Sequence, residues 1–181
     1  MLPTRIREND PSLTALHLNT RHINTKGAID LENALSCNDA ITDLDLAWKS
    51  IGADGAKRLA DMLCTNGKIT RLNLEGFFLG DKGAIALEKA LNGGSGINCL
   101  ILKENKIGDK GVRALVDALL QIEACKPAID LSSNCITSKG TKLLAKNLRS
   151  NTTIPLAMKR TGQAIGIHEI IRSHPYLLMG N

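Results

Sequence analysis

The sequence predicts an α/β solenoid, with a parallel β-sheet along its inner, concave side and helices along its outer, convex side. Three observations lead there. The chain repeats itself every 28 residues: ITDLDLAWKSIGADGAKRLADMLCTNGK from Ile41, ITRLNLEGFFLGDKGAIALEKALNGGSG from Ile69, INCLILKENKIGDKGVRALVDALL from Ile97. Within each copy the apolar spacing switches from two to helical. A glycine recurs at the switch, at Gly27, Gly55, Gly83, Gly111 and Gly140.

Five copies begin at Leu13, Ile41, Ile69, Ile97 and Lys126, so the last step carries one extra residue near Cys125 and Pro127. The alternating pairs Leu16/Leu18, Leu44/Leu46, Leu72/Leu74, Leu100/Leu102 and Ile129/Leu131 each specify a short strand with one buried face. Five positions after each pair comes another apolar residue: Ile23, Ile51, Leu79, Ile107 and Ile136. Beyond the glycine the spacing is helical, as in Leu59 and Leu63 or Leu87 and Leu91. One strand–loop–helix–loop unit cannot bury its own apolar edge. Stacked units can, and because helices are wider than the ~4.8 Å strand spacing the stack curves. The glycine column is expected to mark close helix-to-strand packing, since no copy reads GxxxxGK[ST] or GxGxxG.

The flanks differ. Residues 1–12 are expected to form an amino-terminal cap, because IREND is similar to the helix end MLCTNG before Ile69 and Pro3 suits a first helical turn. GlyGlySerGly at 93–96 is a return loop, because the period runs through it. From Thr152 the period decays: Ile154 to Met158 is strand-like, and a helix is expected from about Gln163 to Arg172, ended by Pro175. Residues 152–181 therefore suit a degenerate repeat and carboxy-terminal cap, the alternative being a recognition tail. The five repeats divide as 13–40, 41–68, 69–96, 97–125 and 126–151.

The pattern LxxLxLxx(N)xI followed by xxxGxxxLxxxL resembles the ribonuclease-inhibitor type of leucine-rich repeat, over residues 13 to about 151. That resemblance implies a right-handed leucine-rich-repeat solenoid, a horseshoe arc that binds other proteins on its concave sheet. The family's loop-bonding asparagine column here reads Arg21, Lys49, Phe77, Asn105 and Asn134. The first three copies are thus expected to be looser at that turn or adapted to another use.

Residues beside each buried pair face the concave side. They give columns Ala15, Asp43, Arg71, Cys99, Ala128 and His17, Asp45, Asn73, Ile101, Asp130, then Asn19, Ala47, Glu75, Lys103, Ser132 and Thr20, Trp48, Gly76, Glu104, Ser133. The surface is polar and mixed in sign, which suits a protein partner. Aromatic residues are only 2% of the chain, yet Trp48, Phe77 and Phe78 fall in two neighbouring loops. Phe77 fills either core or surface, whereas Trp48 and Phe78 have no place in the buried pattern. The expected contacts are Asp43, Asp45, Trp48, Arg71, Asn73, Glu75, Phe78, Lys103 and Glu104, the aromatic residues anchoring and the charges orienting a protein partner.

No enzyme is expected. His17 and Asp45 are cross-strand neighbours, but no serine adjoins them, and Cys99 lies three rungs from His17. Cys37, Cys64, Cys99, Cys125 and Cys135 are odd in number and lack CxxC spacing, which points to reduced thiols in a cytoplasmic setting and to no zinc. The net charge is +5, but the basic residues are dispersed among acids on the helices; only Lys139, Lys142 and Lys146 have none among them. Nucleic acid, small-molecule substrates, cofactors and a membrane span are therefore not expected, and a monomer is. The predicted function is non-catalytic protein binding. The alternatives are a bacterial effector with eukaryote-like repeats acting in a host cytosol, or a regulator of a small GTP-hydrolysing protein.

Overall fold

The computed structural model describes residues 2–18, 23, 25–49, 51–122, 127–149 and 156–157. Strands and helices alternate along the chain. Helix α1 (Leu2–Arg7) precedes β1 (Ala15–His17), α2 (Thr25–Leu35), β2 (Asp43–Asp45), α3 (Gly52–Thr65), β3 (Arg71–Asn73), α4 (Gly80–Asn92) and β4 (Cys99–Ile101). Then come α5 (Asp109–Gln121), β5 (Ala128–Asp130), α6 (Ser138–Arg149) and β6 (Leu156–Ala157). The strands form one parallel sheet in chain order, β1 to β6.

The strand register follows the sequence period. Leu16 pairs with Leu44, Leu44 with Leu72, Leu72 with Leu100, and Leu100 with Ile129, so the extra residue of the last step falls outside the strands. Both members of each alternating pair are buried, from Leu16 and Leu18 through Ile129 and Leu131. They share one buried cluster with such helix residues as Leu59, Leu63, Leu87, Leu115 and Leu119. Six parallel strands and a single row of helices thus enclose one continuous core, which is the leucine-rich-repeat solenoid that the resemblance implies.

The helices begin before the glycine column, which lies in their first turn. A Cβ on Gly111 would come within 2.7 Å of Ile107 Cγ2 and 2.9 Å of Ala84 Cβ. One on Gly140 would meet Asp109 Oδ1 at 2.4 Å. At Gly83, Gly111 and Gly140 the column therefore serves close approach to the preceding repeat's helix and to the loop residue four back, and at Gly55 to the loop residue four back, not the helix-to-strand contact expected from sequence. The same tight contact lets one helix cap the next. Asp81 Oδ1, in α4, accepts the backbone N–H groups of Gly108 (2.7 Å) and Gly111 (2.9 Å) at the start of α5. Asp109 Oδ1, in α5, accepts those of Thr137 (2.8 Å) and Gly140 (3.1 Å) at the start of α6. These are amide groups that a helix cannot satisfy internally. Burial opposes ionisation of Asp109, but these bonds and that from the Thr137 hydroxyl, with the nearby Lys139 charge, prevail and hold its carboxyl below the usual range.

The asparagine column is filled differently in different repeats. Asn105 is fully buried; its Nδ2 donates to Leu74 O (2.7 Å) and Lys103 O (3.1 Å), and its Oδ1 accepts from Leu79 N. Asn134 Oδ1 accepts from Asn105 N (3.0 Å) and Ile107 N (2.9 Å). These bonds stitch each loop to its neighbour. Where the column departs from asparagine the turns are not left open. Phe77 is fully buried, which makes it a core residue, and Lys49 is 5% exposed. Burial pushes the Lys49 amine below its ordinary range, with the Asp45 charge opposing. Arg21 lies outside the described residues.

A second asparagine ladder lies at the other end of the helices. Asn66 Nδ2 donates to Asn38 O (3.0 Å) and its Oδ1 accepts from Lys68 and Ile69 N. Asn38 Nδ2 donates to Ile6 O (2.9 Å) and its Oδ1 accepts from Ala40 and Ile41 N. Asp10 stands one period earlier and accepts from Ser12 N (2.9 Å). Thus α1 and Asp10 occupy the places of the last helical turns of a repeat and its closing polar residue. The strand-like piece expected at 154–158 contains β6, paired with β5. The expected helix at 163–172 lies outside the described residues.

Candidate functional site

The strands carry the side chains flanking each buried pair onto the concave face in the columns that alternation dictates, and those side chains engage one another; of the expected contacts, Asn73 is itself buried. Arg71 Nε lies 3.4 Å from Asp43 Oδ2, and its Nη1 lies 3.4 Å from Cys99 Sγ. His17 Nε2 is 3.8 Å from the same Asp43 oxygen. Asp45 Oδ2 accepts from Asn73 Nδ2 (3.1 Å), while its Oδ1 accepts from Ala47 N. Lys103 Nζ sits 2.7 Å from Glu75 Oε1 and 3.8 Å from Glu104 Oε1. The Glu75 hydrogen bond raises the Lys103 pKa, against the effect of burial. The expected charged contacts are therefore brought together, but as a cross-strand ladder of largely compensated pairs.

His17 and Asp45 face each other in the strand register, as the sequence places them. Their side chains do not pair, because the Asp45 carboxylate is taken by Asn73 and Ala47 while the imidazole turns to Asp43. The polar face is thus suited to orienting a protein surface that offers its own charges and amides.

At the rim, where strands pass into loops, the surface is different. Trp48 is 57% exposed and Phe78 is 46% exposed, although both follow residues that are buried. Both have left-handed backbones, φ 62° and 60°. That conformation is costly for bulky residues and directs them out of the loop. Trp48 belongs to a column in which Gly76, Glu104 and Ser133 are also left-handed. Its backbone N–H donates to Glu75 O (2.7 Å), tying it to the next repeat. Its indole lies on Gly76, where a Cβ would come within 2.4 Å of Trp48 Cε3. One face of the ring is therefore seated on bare backbone. Phe78, two residues beyond Gly76, has the Lys106 ammonium 4.8 Å from its ring centroid, a cation–π contact.

Gly76 as the seat of the indole and Lys106 as a partner of Phe78 were not among the residues expected from sequence. Gly76 was visible as a break in the Trp48–Glu104–Ser133 column. Lys106 had no such mark, since its approach depends on the left-handed turn it shares with Phe78. Among the described residues no group of His, Cys, Asp and Glu side chains has metal-binding proximity, and no helix is long and apolar enough to cross a membrane.

A family model described as "Leucine Rich repeat" matches residues 97–116 and 128–145, the two copies that keep the asparagine. No curated protein matches the chain. Among solved structures the chain is similar to one titled "Leiomodin-1 Actin-Binding Site 2 (ABS2)", at 22% identity and a TM-score of 0.52, covering 94% of this chain and 86% of that one. It is also similar to a tropomodulin C-terminal domain from Caenorhabditis elegans, at 11% identity and a TM-score of 0.59, covering 96% of this chain and 89% of that one. At these identities the likeness is one of fold.

Proposed function

We propose that this chain, a leucine-rich-repeat protein, is a non-catalytic binding module that takes a protein partner through the rim loops of its second and third repeats and the concave sheet beside them. The observation that carries this reading is the exposed indole of Trp48, seated on Gly76 next to exposed Phe78. A chain with so few aromatic residues leaves two of them uncovered in adjacent loops, on strained backbone, beside a charged sheet. Large aromatic groups held rigidly at a surface are the usual anchors of protein interfaces. Asp43, Asp45, Arg71, Asn73, Glu75, Lys103 and Glu104 would then supply orientation, each ion pair opening to the partner at small cost because exposed pairs contribute little on their own. Residues 1–12 and 152–181 act as end caps in this account, and the free state of Cys37, Cys64, Cys99 and Cys135 suits a reducing, cytoplasmic environment.

The test is affinity capture from eukaryotic cell lysate, with the wild type beside a Trp48→Ala, Asp45→Lys, Arg71→Glu variant of equal circular dichroism. Actin is the first protein to look for, because one structure of the same fold is titled as an actin-binding site. A partner held by the wild type and lost by the variant supports the assignment. A partner held equally by both places binding elsewhere and defeats it.

A further inference from the structure

The convex face is uneven in charge. Two of its cations meet acids of the preceding helix, Arg58 Nη1 at 3.4 Å from Glu32 and Lys89 Nζ at 2.9 Å from Asp61, while exposed Lys57 on α3 has no carboxylate within 4 Å among the described residues. Towards the carboxy-terminal end this pairing stops. Lys82, Lys110 and Lys139 occupy one repeat position on α4, α5 and α6, with Arg113 and Lys142 on the next column and Lys146 one turn on; all are exposed. None has a carboxylate within 4 Å among the described residues. The reason is structural. Asp81 and Asp109, the acids next to Lys82 and Lys110, are turned onto the following helix as caps. Helix α6 contains no acid at all. Asp117 is the one exposed acid of α5.

Two exposed aliphatic side chains share these helices, Ile85 on α4 at 47% and Leu120 on α5 at 38%. Ile85 stands in the Arg113–Lys142 column. Neighbouring helices lie roughly 8–10 Å apart, and residues four apart on one helix are about 6 Å apart. The result is a grid of cations with aliphatic side chains set in it.

We propose that the convex face of α4, α5 and α6 is a second docking surface, for an acidic protein segment that carries apolar side chains between its carboxylates. Charge complementarity names the sign of the ligand. The aliphatic residues name its class. A single-stranded nucleic acid would find no aromatic side chain on these helices to stack on, since α4, α5 and α6 contain none, and a duplex held through its phosphates would make no use of exposed Ile85 and Leu120. The surface is separate from the rim of Trp48 and stands whether or not that site binds.

The experiment is fluorescence anisotropy on the full chain with a fluorescein-labelled peptide of repeated Glu-Glu-Leu units. Duplex DNA and phosphatidylserine vesicles serve as competitors. The peptide should bind, weaken as salt rises from ~0.05 to ~0.5 M, and lose at least about tenfold in affinity in an Arg113→Glu, Lys142→Glu, Lys146→Glu variant. An Ile85→Ser, Leu120→Ser variant should lose about threefold or more, and Trp48→Ala should bind as the wild type does. Because every altered side chain is exposed, circular dichroism should be unchanged. Absence of binding, equal binding by either surface variant, or displacement by DNA or vesicles at lower concentration than by unlabelled peptide overturns the proposal.

Discussion

Replacing Asn105 by alanine tests the stitching of the solenoid where it is densest. The side chain is fully buried, donates to Leu74 O and Lys103 O, and accepts from Leu79 N. Two of these partners keep another bond after the substitution: Leu74 O still accepts from Phe77 N and Lys103 O from Gly76 N. The Leu79 N–H, under a side chain that is 1% exposed, loses its acceptor. Orphaning a buried donor costs about 1–3 kcal/mol, and each of the two weakened carbonyls adds about 0.5–1.5 kcal/mol, so the loss should be about 2–6 kcal/mol. With a urea dependence near 2 kcal/mol per M, the unfolding midpoint should fall by about 2 M. Asn98→Ala, at an exposed position, should change stability by less than about 0.5 kcal/mol. Hydrogen exchange should accelerate first at Leu79, whose N–H loses the Asn105 acceptor, while Ile107 keeps its bond to Asn134. A loss below about 1 kcal/mol for Asn105→Ala, or one equal to that of Asn98→Ala, would refute the argument that these inter-repeat bonds hold the loops.

Three further outcomes follow from other positions. Phe77→Asn, which restores the family residue, should destabilise by about 3–5 kcal/mol in the same titration, because a fully buried ring leaves a cavity that an amide does not fill. Gly76→Ala should cost about 1–2 kcal/mol for its left-handed backbone (φ 64°) and also displace the indole, which a change in tryptophan emission reports. Acid should loosen the amino-terminal end. Hydrogen bonds from the Ser12 hydroxyl, Arg5 and Ser12 N–H hold Asp10 at about 2 instead of 3.8, so its folded form binds fewer protons than the unfolded chain. Its contribution is complete above the unfolded value and disappears as pH falls from 3.8 towards 2. Thermal unfolding of Asp10→Asn should accordingly depend less on pH across that window than the wild type does.

The solenoid was legible because its information is periodic: Leu44, Leu72 and Leu100 pair across the strands at the spacing they keep in the chain. Trp48 and Phe78 were legible as exposed because the buried pattern has no place for them. The rest needed geometry. Asn38 and Asn66 repeat as NxxI before Ile41 and Ile69, a signal present in the chain but masked by the better-known asparagine of the strand loop. The roles of Asp81 and Asp109 depend on how closely successive helices approach, which no residue spacing states. The concave charges could be placed on a face from alternation, but whether Arg71 meets Asp43 or solvent depends on rotamers across a curved sheet. Phe77 had two open readings, and only packing against neighbouring repeats decides for the core.

The central claim is that Trp48 anchors a protein partner, and Trp48 is the only tryptophan in the chain. Its fluorescence needs no label and reports that one site. Free protein should show red-shifted emission quenched readily by iodide, as an indole 57% exposed requires. Adding the protein captured from lysate, replaced if necessary by a tryptophan-free fragment of it, should shift the emission to the blue and protect it from iodide at the same concentration at which binding saturates. Saturated binding with unchanged emission and unchanged quenching would contradict the claim.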